Sequence, residues 1–276
     1  MSTPRKRTPL VKEFQEEPVQ KETITTKTNM FPIEGVPTDY RLYPDGTVIY
    51  GRPLTVKETK LLAGMNESNF SFIINEVLQN TITGISVDEL YVADKLYILF
   101  WLRANTYKNE GYSTEYICQH CGAKNNYMFT MDKLNIVSLN EKEFDVDNEL
   151  SLLNRDDKLR ICFPKVKDEN KVSHMLRMNK NNAQQLDEEI LSMATMVKTI
   201  NGEEMSLKYV YEYLNNLTPE DFSFIKSYMD DIEIGVSPVI PVACSNQTCQ
   251  EENLIEVRFH SEFFLPKYNH RPNTGH

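Results

Sequence analysis

Two short cysteine motifs constrain the chain more than any other feature. Cys118-Gln119-His120-Cys121-Gly122 is one, and Cys244-Ser245-Asn246-Gln247-Thr248-Cys249 is the other. A tetrahedral structural zinc ion takes four thiolate or imidazole ligands, and two cysteine turns supply them. Gly122 directly follows the first turn, where a left-handed backbone lets the chain fold its N–H groups toward sulfur. The gap is the unusual part. Between Cys121 and Cys244 lie 122 residues, against about 15–20 in a compact ribbon. A zinc site built from Cys118, Cys121, Cys244 and Cys249 therefore has to close around a large insert. The alternative is two unconnected, reduced thiol pairs. A redox role for the first motif fits poorly, because Asn125 to Thr130 reads as a strand where such a motif needs a helix start.

Composition narrows the class. Five cysteines in 276 residues is an odd and sparse set. With no apolar segment at the N-terminus, this points to a reducing cytoplasm and to metal in place of disulfides. A net charge of −10 argues against a general binder of phosphate backbones. The longest apolar run, Leu96 to Leu102, is too short to cross a membrane and reads as a buried helix.

Taken in order, residues 1–29 read as a flexible N-terminal arm, with Arg5-Lys6-Arg7, acidic clusters and little apolar surface. Such an arm either stays disordered or orders on a neighbouring subunit. Residues 30–110 are expected to form a hairpin plus a helical domain, with Tyr40–Tyr43 pairing Thr47–Tyr50 across Pro44-Asp45-Gly46. Thr55 and Glu58 form a capping box that opens a helix ending near Gly64. Phe70, Ile73, Ile74, Val77 and Leu78 fall at helical spacing. Ser86 and Glu89 form a second box, predicted to open the longest helix over 87–105. Asp94 lies in its apolar stripe and is read as the partner of an arginine or as a backbone cap.

Residues 111–164 and 235–265 are expected to form a split zinc-ribbon β domain, each cysteine pair lying between two strands. Cys162 reads as a small buried hydrophobe. Residues 165–234 form an inserted helical block, with a helix through Ile200, a Ser206 cap, and a start at Thr218-Pro219-Glu220-Asp221. Its methionines, Met175, Met178, Met193 and Met196, fill a core or present an adaptable surface. Residues 266–276 form a C-terminal tail. The fold class expected is α+β, mainly helical, with a small antiparallel ribbon-like sheet.

Catalytic signals are missing. The histidines, among them His120, sit in no metal-protease arrangement, and there is no phosphate loop or nucleophile elbow. Four thiolates leave a zinc ion no open position, so the ion reads as structural, one per chain.

Several segments together resemble the baseplate hub and hub-assembly proteins of T4-like contractile-tailed phages. They are Phe31 to Pro37, Tyr50-Gly51-Arg52-Pro53-Leu54-Thr55, Asp94 with Leu99 and Arg103, Cys118 to Gly122, the late second cysteine pair, and Phe263-Phe264. The C-x4-C spacing departs from the commoner C-x-x-C. The resemblance implies a non-enzymatic structural or assembly protein of the central baseplate hub. Its partners would be other hub and tail proteins, and its place the virion tail or the host cytoplasm during assembly. It implies no membrane and no small-molecule substrate. Two other classes compete. A zinc-ribbon, transcription-type protein would bind nucleic acid, although the ribbon strands carry Glu251, Glu252 and Glu256. An enzyme would need a polar pocket of perturbed ionisable groups.

Overall fold

A computed structural model describes residues 29–66, 68–108, 111–145, 147, 149–179, 186–237, 239–257 and 261–265. The expectations for residues 1–28, for Arg258 to His260 and for 266–276 lie outside the described residues. Helices and short antiparallel strands alternate throughout, an α+β fold as expected.

The first core begins with a three-stranded sheet. Strand β2 (Tyr50–Gly51) lies between β1 (Phe31–Pro32) and β3 (Ile82–Thr83). This corrects the expected hairpin of Tyr40–Tyr43 with Thr47–Tyr50. Residues 37–43 form successive turns, with Asp39 and Tyr40 at φ 48° and 60°. The tyrosines are the cause. The Tyr40 hydroxyl donates to the Ile33 carbonyl at 2.6 Å, and the Tyr43 hydroxyl to Asp94 Oδ2 at 2.7 Å. Both rings reach inward, which a two-sided ladder forbids.

Helices α1 (Val56–Ala63) and α2 (Phe70–Thr81) follow as the spacing predicts. Thr55 and Glu58 form their box, and Gly64 ends α1. The Ser86 box behaves differently. Val87–Glu89 is an isolated 3-10 turn, and helix α3 (Val92–Thr106) starts later. Leu90 to Val92 is held extended by the segment ahead of the next helix. Val92 N–H donates to the Pro164 carbonyl at 3.0 Å, and Val166 N–H to the Leu90 carbonyl at 2.9 Å. A tertiary pairing thus overrides the local cap. Helix α3 is the axis of the first core, with Ile98 and Leu102 fully buried.

Two hairpins complete this half. Strands β4 (Tyr112–Ile117) and β5 (Lys124–Phe129) form one, and β11 (Val239–Ala243) and β12 (Glu252–Glu256) the other. Between them in sequence, β6 (Asn135–Val137) pairs antiparallel with β10 (Gly235–Ser237). The chain leaves the first half along β6 and returns along β10.

The intervening residues build a second core. Strand β8 (Lys158–Ile161) lies between β7 (Glu149–Ser151) and β9 (Val197–Ile200). Helices α4 (Val166–Asn179), α5 (Glu188–Met196), α6 (Leu207–Asn215) and α7 (Pro219–Asp231) surround it. Ser206 Oγ caps α6 by accepting from Tyr209 N–H, and Thr218 Oγ1 caps α7 by accepting from Asp221 N–H. The helix expected to reach Ile200 stops at Met196. Val197, Thr199 and Ile200 are β-branched and complete the β8 ladder instead. Met193 is buried and Met175 and Met196 pack on this core, while Met178 is exposed.

Charged bridges join the two halves. Lys165 and Lys167 reach Glu89 at 2.8 and 2.7 Å, and Lys95 reaches Glu169 at 2.5 Å. At the far end, Phe263 and Phe264 sink fully into the first core, with Phe263 edge-on to Phe100, Tyr112 and Phe264. The Arg103 guanidinium lies 5.2 Å from the Phe263 ring centre.

Candidate metal centre

The four cysteines meet where the tips of the two hairpins face each other. Each tip is closed in the same way. Cys118 N–H donates to the Ala123 carbonyl at 2.9 Å, and Cys244 N–H to the Glu251 carbonyl at 2.9 Å. In both, the acceptor lies two residues beyond the second cysteine. Each second cysteine is followed by a left-handed residue, Gly122 at φ 72° and Gln250 at φ 51°. The two extra residues of the C-x4-C motif are taken up by Asn246. Its side-chain oxygen accepts from Thr248 N–H at 3.1 Å, and its carbonyl accepts from Cys249 N–H at 2.9 Å. The departure in spacing is thus absorbed within the turn.

The sulfurs converge. Cys118 Sγ lies 3.9 Å from Cys249 Sγ, and Cys121 Sγ lies 3.7 Å from Cys244 Sγ. All four lie within 4.8 Å of one another. A zinc ion with four Zn–S bonds near 2.3 Å sets sulfurs about 3.8 Å apart, so the donor set fits such an ion. Cys118 and Cys244 are buried, Cys249 is half-buried and Cys121 is exposed.

Hydrogen bonds are already aimed at sulfur. Asn253 Nδ2 donates to Cys118 Sγ at 3.4 Å, and Asn246 Nδ2 to Cys121 Sγ at 3.8 Å. Burial opposes ionisation of Cys118, yet the backbone N–H groups of Cys121 and His120, with Asn253, bring its thiol down to about 6. At Cys249 the backbone N–H of Glu251 pulls downward, but burial and the adjacent Cys121 and Cys118 push it up to about 12. The Cys118 thiolate forms readily, while the thiols of Cys244 and Cys249 are pushed up. Crowded sulfurs of this kind need a cation before all of them ionise.

The remaining candidates fall elsewhere. His120 is exposed at the tip. Cys162 stands apart, its Sγ 3.8 Å from the Thr195 carbonyl, with burial pushing its thiol up to about 11. Asp94 is fully buried, and among the described residues no arginine pairs with it. It accepts from Thr38 N–H at 3.0 Å, Thr38 Oγ1 at 2.6 Å and the Tyr43 hydroxyl at 2.7 Å. Of the two expected roles, the arginine partner is not found among the described residues, while Asp94 does hold a backbone N–H, that of Thr38, together with the hydroxyls of Thr38 and Tyr43.

Sequence reasoning missed two residues of the centre, Asn125 and Asn253. Each stands four positions beyond the second cysteine of its motif, and each is 5% exposed. The repeated Cys-x-x-x-Asn was the available signal. Asn125 Oδ1 accepts from Ser245 N–H at 2.8 Å, and Asn253 Oδ1 accepts from Gln119 N–H at 2.9 Å. Each asparagine thereby caps the tip of the other hairpin.

These features define a class: a two-core α+β protein in which distant segments meet at a cysteine cluster compatible with a metal ion. Residues 37–265 match the family described as T4 bacteriophage base plate protein, and the chain belongs to that family. Membership gives it a structural role in a phage tail baseplate, among other baseplate proteins. No curated protein and no solved structure matched the chain. Among the described residues, no helix is long and apolar enough to cross a membrane.

Proposed function

We propose that the chain is a non-enzymatic structural or assembly protein of the central baseplate hub, and that Cys118, Cys121, Cys244 and Cys249 hold one structural zinc ion. The convergence of four sulfurs from hairpins 122 residues apart carries the zinc reading. The ion would clamp the two returning segments above the β6–β10 root and hold the second core, residues 138–234, at a fixed angle to the first. Metal binding of this kind is folding energy, because the unfolded chain has no preformed site. The family match over residues 37–265 supports the baseplate setting. The hub assignment rests on the resemblance carried by the order of its segments, from Phe31–Pro37 and Tyr50–Thr55 through Asp94, Leu99 and Arg103 and the two cysteine motifs to Phe263-Phe264.

A nucleic-acid role finds little support in the hairpins. Glu115, Glu251, Glu252 and Glu256 lie on or beside their strands, and a phosphate backbone would be repelled there. The deciding experiment mixes the purified full chain with the separate hub and peripheral baseplate proteins of its own phage. Co-elution with the hub proteins is expected. Binding to peripheral proteins alone, or a strong salt-dependent affinity for DNA, would overturn the hub reading.

A further inference from the structure

We propose that Asn125 and Asn253 are reciprocal positioning residues that lock the two hairpins together and so set the affinity of the metal centre. This inference rests on the zinc reading of the four cysteines. Its geometry is a near two-fold exchange. Asn125 leaves β5 and accepts from Ser245 N–H at 2.8 Å, the amide that follows Cys244. Asn253 leaves β12 and accepts from Gln119 N–H at 2.9 Å, the amide that follows Cys118. Each also donates to the carbonyl two residues before it, Asn125 to Ala123 at 2.9 Å and Asn253 to Glu251 at 3.0 Å. Those carbonyls are the ones that close the two cysteine tips. Each side chain therefore braces its own tip and caps the opposite one.

Burial raises the stakes. A planar amide 5% exposed that lost its partners would leave polar groups unsatisfied away from water. The arrangement is complete only when both hairpins are docked. The first hairpin alone offers two sulfurs and an uncapped Gln119 N–H. The second arrives only after the chain has passed through residues 138–234 and returned along β10. Asn253 adds a direct effect, since its Nδ2 donates to Cys118 Sγ at 3.4 Å. Hydrogen bonds to a ligating sulfur steady its charge and orientation.

The test uses the full chain, with Asn125→Ala and Asn253→Ala beside the wild type. Zinc affinity is read by competition with a chelating dye, and amide exchange is read at residue resolution. Each variant should bind zinc roughly 10- to 100-fold more weakly. The exchange pattern should be crossed: Asn253→Ala exposes the Gln119 amide, and Asn125→Ala exposes the Ser245 amide. Asn253→Asp guards against a variant that fails to fold. It keeps an acceptor for Gln119 but loses the donor to Cys118 Sγ and to the Glu251 carbonyl, so Gln119 should stay protected while zinc binds more weakly. A wild type that binds zinc, with all variants within twofold of it, would overturn the positioning role. Unchanged exchange at both amides would overturn it as well. A wild type that takes up no zinc would instead sink the zinc reading itself.

Discussion

The guanidinium of Arg52 lies against the carboxylate of Glu58 in a two-point contact, with Nη2 3.0 Å from Oε1 and Nη1 3.2 Å from Oε2. The same carboxylate accepts from Thr55 N–H at 2.7 Å and from the Thr55 hydroxyl. One acid thus serves as the cap of α1 and as the anchor of the Tyr50–Thr55 segment. Arg52 extends the link to α2 by donating to the Asn80 carbonyl at 2.8 Å.

That contact predicts a pH signature. Burial alone would raise Glu58, but Arg52 and Thr55 outweigh it and hold the carboxyl near 2, against its ordinary 4.5. Its stabilising contribution is fully present above about pH 4.5 and is lost as the pH falls toward 2. Urea unfolding of wild type and Glu58→Gln across that range should show the loss in the wild type and a flatter profile in the variant. Arg52→Ala strands a buried carboxylate and should cost about 3 kcal/mol at neutral pH.

Asp94 predicts the opposite slope. Burial outweighs the bonds from Thr38 and Tyr43 and lifts its carboxyl to about 6, from 3.8. Between those values the folded chain binds the extra proton, so stability falls as the pH rises through the window. Asp94→Asn should remove this slope. Asp94→Ala leaves Thr38 and Tyr43 without their acceptor and should cost about 3 kcal/mol by thermal or urea unfolding.

Two glycines separate backbone geometry from general flexibility. At Gly84, φ is 95° and an added Cβ would stand 2.0 Å from the Val48 carbonyl oxygen. Gly84→Ala should force the chain just after β3 away from the Val48 backbone, at a cost of about 3 kcal/mol. At Gly46, φ is 79° but nothing stands within 4 Å. Gly46→Ala should cost only about 1 kcal/mol, the ordinary penalty of a left-handed residue. Equal losses at both sites would contradict the close approach of β3 to the Val48 backbone.

The C-terminal aromatic pair anchors the return of the chain. Phe263 and Phe264 are 0% and 1% exposed. Phe263→Ala opens a cavity among Phe100, Tyr112 and the Arg103 side chain, and should cost roughly 3–5 kcal/mol. A loss below about 1 kcal/mol in calorimetry would mean the segment is not seated in the first core.

Legibility in the sequence followed the range of the interaction. The Thr55, Ser206 and Thr218 caps were readable because their partners lie within one turn. The four cysteines were readable because thiol chemistry at short spacing is specific, even across 122 residues. The Ser86 box misled, since Leu90 and Val92 answer to Val166 and Pro164, far along the chain. Val197 to Ile200 misled for a similar reason, because β8 decided their conformation. The turn at 37–43 was hidden by the hydroxyls of Tyr40 and Tyr43, which alternation patterns ignore. Asn125 and Asn253 were visible only as a repeated offset from cysteine. Their meaning required the two hairpins to be seen face to face.

The most direct test of the central claim is elemental analysis of the full chain and of Cys244→Ser, both purified without added metal. One zinc per wild-type chain is expected, with the variant losing the metal and its two hairpins loosening by amide exchange. A wild type without metal, or a variant that retains a full equivalent of zinc, would contradict the four-cysteine clamp.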